Sequence, residues 1–343
     1  KNTAISGGAI YSNNNMTIEN CQFNQNDADY GGAIFTYSGA NVTDCEFIEN
    51  YADYGGAIAA ITELHVNKSG FFANEGDNGG AIFAVNNTFI EDCNFYDNHA
   101  EYGGAVYLVQ DGTVNGNSFA LNTADYGGAV YSNSTLSVAD SKFINNKAIT
   151  GGAIYATEGK SSISNSTFNY NDAYEGGAVY NNGSSSTIIG SGFAYNTAKY
   201  GGAIYNDAED AFIKRTTFTG NNAEHGGAIY NMEYIDISDS EFANNNAKYG
   251  GAIDSYDNGA DIRNTDFTNN TAEKYGGAIY NENSEIDIEN SNFTNNTAEY
   301  GGAIENRYYI TMDNCRLENN NAKYGGAIDN DLGEATIENT QFT

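Results

Sequence analysis

The sequence has no proline and no tryptophan, and leucine, the usual filler of helical cores, occurs only six times in 343 residues. Without proline, nearly every backbone N–H is able to take part in a hydrogen-bonded ladder. The abundant residues are Ile, Val, Phe, Tyr, Thr, Asn and Gly, which are typical of strands and tight turns. This composition predicts an all-β protein.

Basic residues are also scarce, because 14 Lys and Arg stand against 45 Asp and Glu, for a formal net charge of −31. Such a charge repels nucleic acid and anionic membranes, so we expect no nucleic-acid partner. No apolar run approaches the roughly eighteen residues that a membrane helix needs, so we predict no membrane span.

Residues that commonly carry chemistry are few and dispersed. The three histidines, His65, His99 and His225, are scattered, and the chain has four arginines. The four cysteines, Cys21, Cys45, Cys93 and Cys315, all occupy one column of the repeat, in which Ser or Thr stands elsewhere with Asn117 as the exception. A column that accepts Cys, Ser and Thr indicates small buried fillers rather than a disulfide framework, and Cys-x-x-Cys metal spacing is absent.

One phrase, Gly-Gly-Ala followed by Ile or Val, recurs through the whole chain. It begins fourteen times at spacings of 24 to 26 residues. Its first glycines are Gly7, Gly31, Gly55, Gly79, Gly103, Gly127, Gly151, Gly176, Gly201, Gly226, Gly250, Gly276, Gly301 and Gly325. Sixteen or seventeen residues after each of these stands Phe, with Leu317 as the exception, and Asn follows three residues later.

Short alternating stretches such as TIENCQF, Thr17 to Phe23, have the period of strands rather than of helices. Strands of three to five residues that repeat in this way describe coils of a β-helix, in which equivalent residues stack about 4.8 Å apart. We predict a parallel β-solenoid of about fourteen coils over residues 1–343, as one continuous array without a separate cap domain. The glycine pair is interpreted as a corner that needs a positive φ or a close backbone approach, and the Asn column as a buried hydrogen-bonded ladder.

The GGAI phrase with Phe-x-x-Asn, as in CQFNQNDADYGGAI (Cys21 to Ile34), resembles the repeats of polymorphic outer-membrane proteins. It is also similar to the Asn- and Tyr-rich adhesin-like proteins of methanogenic archaea. The resemblance covers all fourteen units. It implies a right-handed parallel β-helix, exposed on a cell surface and used for adhesion.

Two columns of aromatic residues are the candidate binding surface. The residue after the Ile column is aromatic in ten units, and strand alternation directs it outward. The predicted binding residues in this column are Tyr107, Tyr131, Tyr155, Tyr180, Tyr205, Tyr230 and Tyr280. A second column, just before the glycines, includes Tyr30, Tyr54, Tyr102, Tyr126, Tyr200, Tyr249, Tyr275, Tyr300 and Tyr324. Exposed tyrosines stack on sugars or on a protein partner, and the alternative is that stacked rings only stabilise the solenoid.

Catalysis is not expected, although many β-helix proteins cleave polysaccharides. The coils differ in length by only one or two residues, which leaves no long loops to wall a catalytic cleft. We therefore predict a non-catalytic extracellular or cell-surface protein with a structural or adhesive role, for example as part of a surface filament or sheath. The alternative is a carbohydrate-binding or carbohydrate-active β-helix of the polysaccharide lyase type, and product release from polysaccharides distinguishes the two.

No cofactor is predicted, with calcium as the one candidate ion. Two residues before the glycines, five successive units carry Asp29, Asp53, Asp77, Glu101 and Asp125. Stacked like charges repel, so a bridging cation is one hypothesis and a solvated edge screened by salt is the other.

The final expectation concerns partners. No atypical unit caps the repeats, although solenoids need polar terminal caps. We expect the chain to be a segment of a longer polypeptide, or to associate with itself end to end through the same interface. A glycan or a cell-surface protein is the other expected partner.

Overall fold

The computed structural model describes residues 1–343 and contains strands but no helix. The chain forms two compact units, Lys1–Ala173 and Tyr174–Thr343. Each unit contains seven of the Gly-Gly-Ala phrases and therefore seven coils. That the repeats form one continuous array over residues 1–343 stays a prediction.

The strands of the first unit are short, and most have three or four residues. In chain order they are β1 (Ile10–Ser12), β2 (Met16–Glu19), β3 (Gln22–Asn24), β4 (Asp27–Tyr30), β5 (Ile34–Thr36), β6 (Ala40–Thr43), β7 (Glu46–Ile48), β8 (Tyr51–Tyr54), β9 (Ile58–Ala60), β10 (Leu64–Asn67), β11 (Gly70–Phe72), β12 (Glu75–Asn78), β13 (Ile82–Ala84), β14 (Thr88–Glu91), β15 (Asn94–Tyr96), β16 (Val106–Leu108), β17 (Gly112–Asn115), β18 (Ser118–Ala120), β19 (Val130–Ser132), β20 (Leu136–Ala139), β21 (Lys142–Ile144), β22 (Ile154–Ser164) and β23 (Thr167–Asn169).

The strands of the second unit have the same character. They are β24 (Val179–Ile189), β25 (Gly192–Ala194), β26 (Ile204–Asn206), β27 (Asp210–Lys214), β28 (Thr217–Thr219), β29 (Ile229–Asn231), β30 (Tyr234–Ser238), β31 (Glu241–Ala243), β32 (Asn246–Tyr249), β33 (Ile253–Ser255), β34 (Ala260–Arg263), β35 (Asp266–Thr268), β36 (Thr271–Tyr275), β37 (Ile279–Asn281), β38 (Glu285–Glu289), β39 (Asn292–Thr294), β40 (Ile304–Asn306), β41 (Tyr309–Asp313), β42 (Arg316–Glu318), β43 (Ile328–Asn330), β44 (Glu334–Glu338) and β45 (Gln341–Phe342).

Every coil contributes one strand segment to each of three rows, and within each unit every row pairs in parallel with the same row of the next coil. The first row follows the glycines, as in β16 with β19, where Tyr107 is opposite Tyr131. The second row follows it, as in β17 with β20, and the third carries the Phe column, as in β18 with β21. Because equivalent residues are paired throughout each unit, the prediction of an all-β parallel β-solenoid is confirmed.

The core of each unit is built from columns of identical side chains. In the first unit the Phe rings from Phe23 to Phe168 stack with centroids 4.7–4.9 Å apart and planes within 6° of parallel. In the second unit the rings from Phe193 to Phe293 stack at 4.6–5.1 Å. These distances are those of neighbouring strands in a sheet, so the strand spacing sets the ring stacking.

The Asn column forms the buried ladder that the sequence predicts. Asn74 donates from its backbone N and from Nδ2 to Oδ1 of Asn98, both at 3.0 Å. Its Nδ2 also donates to the carbonyl of Phe47 at 3.0 Å. The second unit repeats the pattern, as where Asn245 bonds to Asn270 and to the carbonyl of Phe218. The Asn side chain of each coil therefore forms hydrogen bonds both with the backbone of the corner and with the equivalent Asn of the neighbouring coil.

The glycine pair meets both requirements that the sequence predicts. Gly103 has a φ of +63°, in the left-handed region that glycine adopts without strain. A Cβ on Gly104 would lie 2.1 Å from the carbonyl oxygen of Gly128 in the next coil. The first glycine therefore turns the chain, and the second allows adjacent coils to approach.

The Cys, Ser and Thr column donates a hydrogen bond as well as filling a small space. Sγ of Cys45 donates to the carbonyl of Thr43 at 3.1 Å, and Oγ of Ser141 donates to the carbonyl of Ala139 at 2.7 Å. All four cysteines are free thiols, and burial raises the pKa of Cys93 to about 12. This thiol is therefore an unreactive structural group.

Candidate functional site

The predicted binding tyrosines lie on the outer side of the first-row strands, but they are less exposed than the sequence suggests. Tyr107, Tyr131, Tyr155 and Tyr205 are half-buried. Tyr180, Tyr230 and Tyr280 are buried, with 9%, 8% and 3% of their surface exposed. Strand alternation gives their direction correctly, whereas their expected exposure is wrong for these three because other rings cover them.

The covering rings come from the column before the glycines. The ring centroid of Tyr102 lies 5.4 Å from that of Tyr131 in the next coil, and that of Tyr200 lies 5.3 Å from that of Tyr230. The two columns therefore form one surface in each unit. We call these surfaces the tyrosine strips; the first comprises Tyr102, Tyr107, Tyr126, Tyr131 and Tyr155, and the second comprises Tyr174, Tyr200, Tyr205, Tyr230, Tyr249, Tyr256, Tyr275, Tyr280, Tyr300 and Tyr324.

A buried carboxylate interrupts the second strip at Asp254, which is paired with Tyr230 on one side and Tyr280 on the other. Its side chain is fully buried, and Oδ2 lies 2.8 Å from Nδ1 of His225. The other oxygen, Oδ1, is buried and has no hydrogen-bond partner within the protein. Burial raises the pKa of Asp254 to about 6, against the opposing effect of His225.

Glu305 repeats this arrangement two coils later. It is 1% exposed, and its Oε1 accepts a hydrogen bond from Nε of Arg307 at 3.3 Å. Its Oε2 is buried without a partner, and burial raises the pKa of Glu305 to about 7, with Asp329 acting in the same direction. The sequence analysis missed both carboxylates. One feature of the sequence indicates them: at Asp254 and Glu305 an acidic residue replaces the aromatic residue that follows the Ile column in most units.

Basic side chains lie over the rings of the second strip. Nζ of Lys199 is 5.2 Å from the ring centroid of Tyr174 and 5.0 Å from that of Tyr200. The same arrangement, at distances of 4.2–5.4 Å, joins Lys248 to Tyr249, Lys274 to Tyr275, Arg307 to Tyr275 and Tyr280, and Lys323 to Tyr324. These are cation–π contacts, which show that ring faces of this strip accept organic cations.

An open groove of about 420 Å³ lies within the second strip. We call it the tyrosine groove; it is lined by Tyr174, Glu175, Tyr200, Tyr205, Tyr230, Met232 and Tyr256. Its volume falls in the range of small-ligand sites, roughly 300–1,000 Å³. Tyr174 and Tyr256 form its most exposed walls, at 49% and 41%, and the buried Tyr230 forms its floor.

The charged column before the glycines differs between the units. In the first, Asp29, Asp77, Glu101 and Asp125 are exposed and Asp53 is half-buried, and burial, then Asp77 and Asp29, raises the pKa of Asp53. In the second unit, Lys248 pairs with Glu224 at 3.8 Å and Lys323 pairs with Glu299 at 3.5 Å. No group of three or more His, Cys, Asp or Glu side chains is arranged to hold a metal ion.

A family model described as right handed beta helix region matches residues 68–168 and 176–342. The search of the curated proteins and the search of the solved structures give no match. None of the structure's elements is a helix of the length and hydrophobicity needed to cross a membrane.

Proposed function

From the premise that the chain belongs to the right-handed β-helix family, we propose that it is a non-catalytic structural or adhesive protein of the cell surface. Its adhesive surfaces are the two tyrosine strips. The observation that carries the proposal is the convergence of two tyrosine columns into one surface in each unit, as at Tyr102 and Tyr131. Partly exposed aromatic rings in a continuous patch are typical of recognition surfaces.

The burial of two carboxylates, Asp254 and Glu305, supports the absence of catalysis. A general acid or base has to come within hydrogen-bond reach of its substrate. Asp254 and Glu305 have the pKa values best suited to proton transfer near neutrality, yet they are 0% and 1% exposed. A substrate in the strip would meet tyrosine rings rather than these carboxylates.

A carbohydrate-related role is the second candidate, because tyrosines that face a groove also stack on sugar rings. The tyrosine groove, with Glu175 on its wall, favours this alternative. In that case the protein binds a polysaccharide, and the carboxylate accepts hydrogen bonds from its hydroxyl groups.

Incubation of the purified chain with a polysaccharide panel tests the non-catalytic part of the proposal. We expect no rise in reducing ends or in unsaturated products, with an active polysaccharide lyase as the positive control. The same chain, labelled and applied to glycan arrays and intact cells, tests adhesion. Release of products would contradict the proposal, as would a lack of binding to every cell and surface tested.

We also propose self-association of the repeats, either with more repeats of the same polypeptide or with a second copy. The parallel pairing of equivalent residues between neighbouring coils of each unit supports this, because a further repeat can extend the same ladder. Intact mass and electron microscopy of native material test it. A stable monomer of 36.7 kDa that never stacks would contradict both versions.

A further inference from the structure

We propose that the tyrosine groove binds an organic cation, namely the ammonium or guanidinium group of a Lys or Arg side chain on a basic polypeptide partner. The biological role of this site rests on the proposed adhesive function, while the binding of a free cation does not.

The rings of the groove enclose a corner instead of forming a flat stack. The rings of Tyr200 and Tyr205 each lie about 5 Å from that of Tyr230 and are inclined to it by 54°. The Tyr256 ring lies 6.4 Å from the Tyr230 ring at 42°. By contrast, Tyr180 and Tyr205 stack at 22°. Inclined rings direct several negative π faces at one volume, which is the arrangement that receives a cation.

The charges around the groove are mainly acidic. Burial, and then Asp207 and Glu175, raise the pKa of Tyr205 to about 12. Burial also raises the pKa of Tyr230, with Asp254 as the next cause. After burial, the next causes of both shifts are carboxylates, and carboxylates close to the groove favour a positive ligand. The net charge of −31 acts in the same direction at long range.

The local sequence places a carboxylate on the groove wall. In most coils an acidic or basic residue precedes the tyrosine that stands before the glycines, as in Glu101-Tyr102. At this coil the order is reversed to Tyr174-Glu175. The reversal brings Glu175 to the position that lines the groove and puts Tyr174 at its rim.

Lys199 shows that the site is suited to an ammonium group. Its Nζ lies over the rings of Tyr174 and Tyr200 and is 3.1 Å from the hydroxyl of Tyr174. Those ring faces are thus already used by a cation from the chain itself. A ligand cation competes with Lys199 for them and is repelled by its charge, so removal of the Lys199 charge should tighten binding.

The test is an NMR titration of the full chain, with ¹³C-labelled tyrosine rings, against tetramethylammonium and against neopentyl alcohol, its neutral counterpart of similar size. We expect saturable shifts with the cation and at least about threefold weaker binding of the alcohol. Tetralysine should bind more tightly than its fully acetylated form. Equal binding of the charged and neutral probes would overturn the proposal.

Variants locate the site. Lys199→Gln should tighten tetramethylammonium binding by about threefold, and Glu175→Gln and Tyr256→Asn should each weaken it by about threefold. Tyr195→Asn is the matched control, because Tyr195 is 51% exposed in the same unit but lies outside the groove. The affinity of this variant for tetramethylammonium should equal that of the native chain. Weaker cation binding in Lys199→Gln would overturn the proposal.

A neutral oligosaccharide that binds the groove while tetramethylammonium does not would also overturn it, in favour of the carbohydrate alternative. Failure of the proposed function has a different readout. If the groove binds cations but the chain adheres to no surface, the proposed function fails and the site stands. If adhesion is intact in a chain that binds no cation, the site fails and the proposed function stands.

Discussion

At the scale of single residues, Asp254 occupies an energetically costly position. Its carboxylate is fully buried between tyrosines, with one oxygen near His225 and the other without a partner. Burial raises its pKa to about 6 from 3.8, so the folded chain binds this proton more strongly than the unfolded chain does. Through this group, the free energy of unfolding is highest below pH 4 and falls as the pH rises through about 6.

Replacing Asp254 by Asn should remove this pH dependence. At pH 4 the variant and the native chain should have similar stability, and at pH 8 the variant should be more stable by about 1–3 kcal/mol. Urea unfolding between pH 4 and pH 8 measures the difference. Glu241→Gln, at an exposed position, is the control and should follow the native chain. If the free energies of unfolding of the native chain and the Asp254→Asn variant differed by the same amount at pH 4 and pH 8, the raised pKa of Asp254 would be contradicted.

At the scale of the structural element, the Asn ladder is a part of each coil that tolerates little change. Asn146 accepts two hydrogen bonds from Asn122 and donates from Nδ2 to the carbonyl of Phe119 and to Asn171. An apolar residue of similar size leaves several of these groups buried without partners, each at a cost of about 1–3 kcal/mol. The ladder therefore stabilises the corner of every coil it passes through.

Asn146→Leu should lower the free energy of unfolding by more than about 3 kcal/mol. Phe143→Leu, in the same coil, is the matched control, because Leu317 already occupies the Phe column. The control should cost only about 1–2 kcal/mol, which reflects the lost ring volume. Urea unfolding of both variants measures the contrast, and a greater loss for Phe143→Leu would show that the ladder is not the critical element.

Much of the fold could be predicted at this scale, because fixed spacing fixes the register. The positive φ of Gly103, the close approach at Gly104 and the amide ladder all follow from the repeated columns. The tyrosine surface could not be predicted fully. Alternation shows that Tyr131 points outward, but the angle of the glycine corner decides that Tyr102 of the preceding coil covers it.

The buried carboxylates were missed for a related reason. In the sequence, Asp254 and Glu305 occupy outward positions, where acidic residues are ordinarily solvated. Their burial depends on neighbouring rings such as Tyr280 and Tyr230, which lie in adjacent coils at the same register. Only the packing of several coils together places these carboxylates beneath aromatic side chains.

At the scale of the whole molecule, the net charge of −31 makes stability depend on salt. The exposed acidic column that includes Asp77, Glu101 and Asp125 places like charges on successive coils. We expect the melting temperature to rise as the NaCl concentration increases from about 10 to about 300 mM. Over this range the Debye length falls from roughly 30 Å to below 10 Å. The repulsion within the column is screened over this range.

Calcium tests whether the acidic column is a specific ion site. No cluster of ligands for a metal ion is formed there, so calcium chloride at the same ionic strength should raise the melting temperature no more than NaCl does. Scanning calorimetry in NaCl, in calcium chloride and with chelator gives the comparison. A clearly larger rise with calcium, reversed by the chelator, would support the bridging-cation hypothesis instead.

We propose that the tyrosine strips are the working surfaces of a non-catalytic protein. The most direct test of this proposal is the binding of labelled chain to cell-wall material, with soluble products assayed in the same sample. The variant carries Tyr102→Ser, Tyr126→Ser and Tyr249→Ser in the strips. The control carries serine at three tyrosines outside them, each about half exposed, namely Tyr96, Tyr170 and Tyr195.

Circular dichroism has to show that both triple variants remain folded. We predict that the native chain and the control bind alike, that the strip variant binds at least about tenfold more weakly, and that no sample releases products. Equal binding of the strip variant and the control, or products released by the native chain, would contradict this proposal.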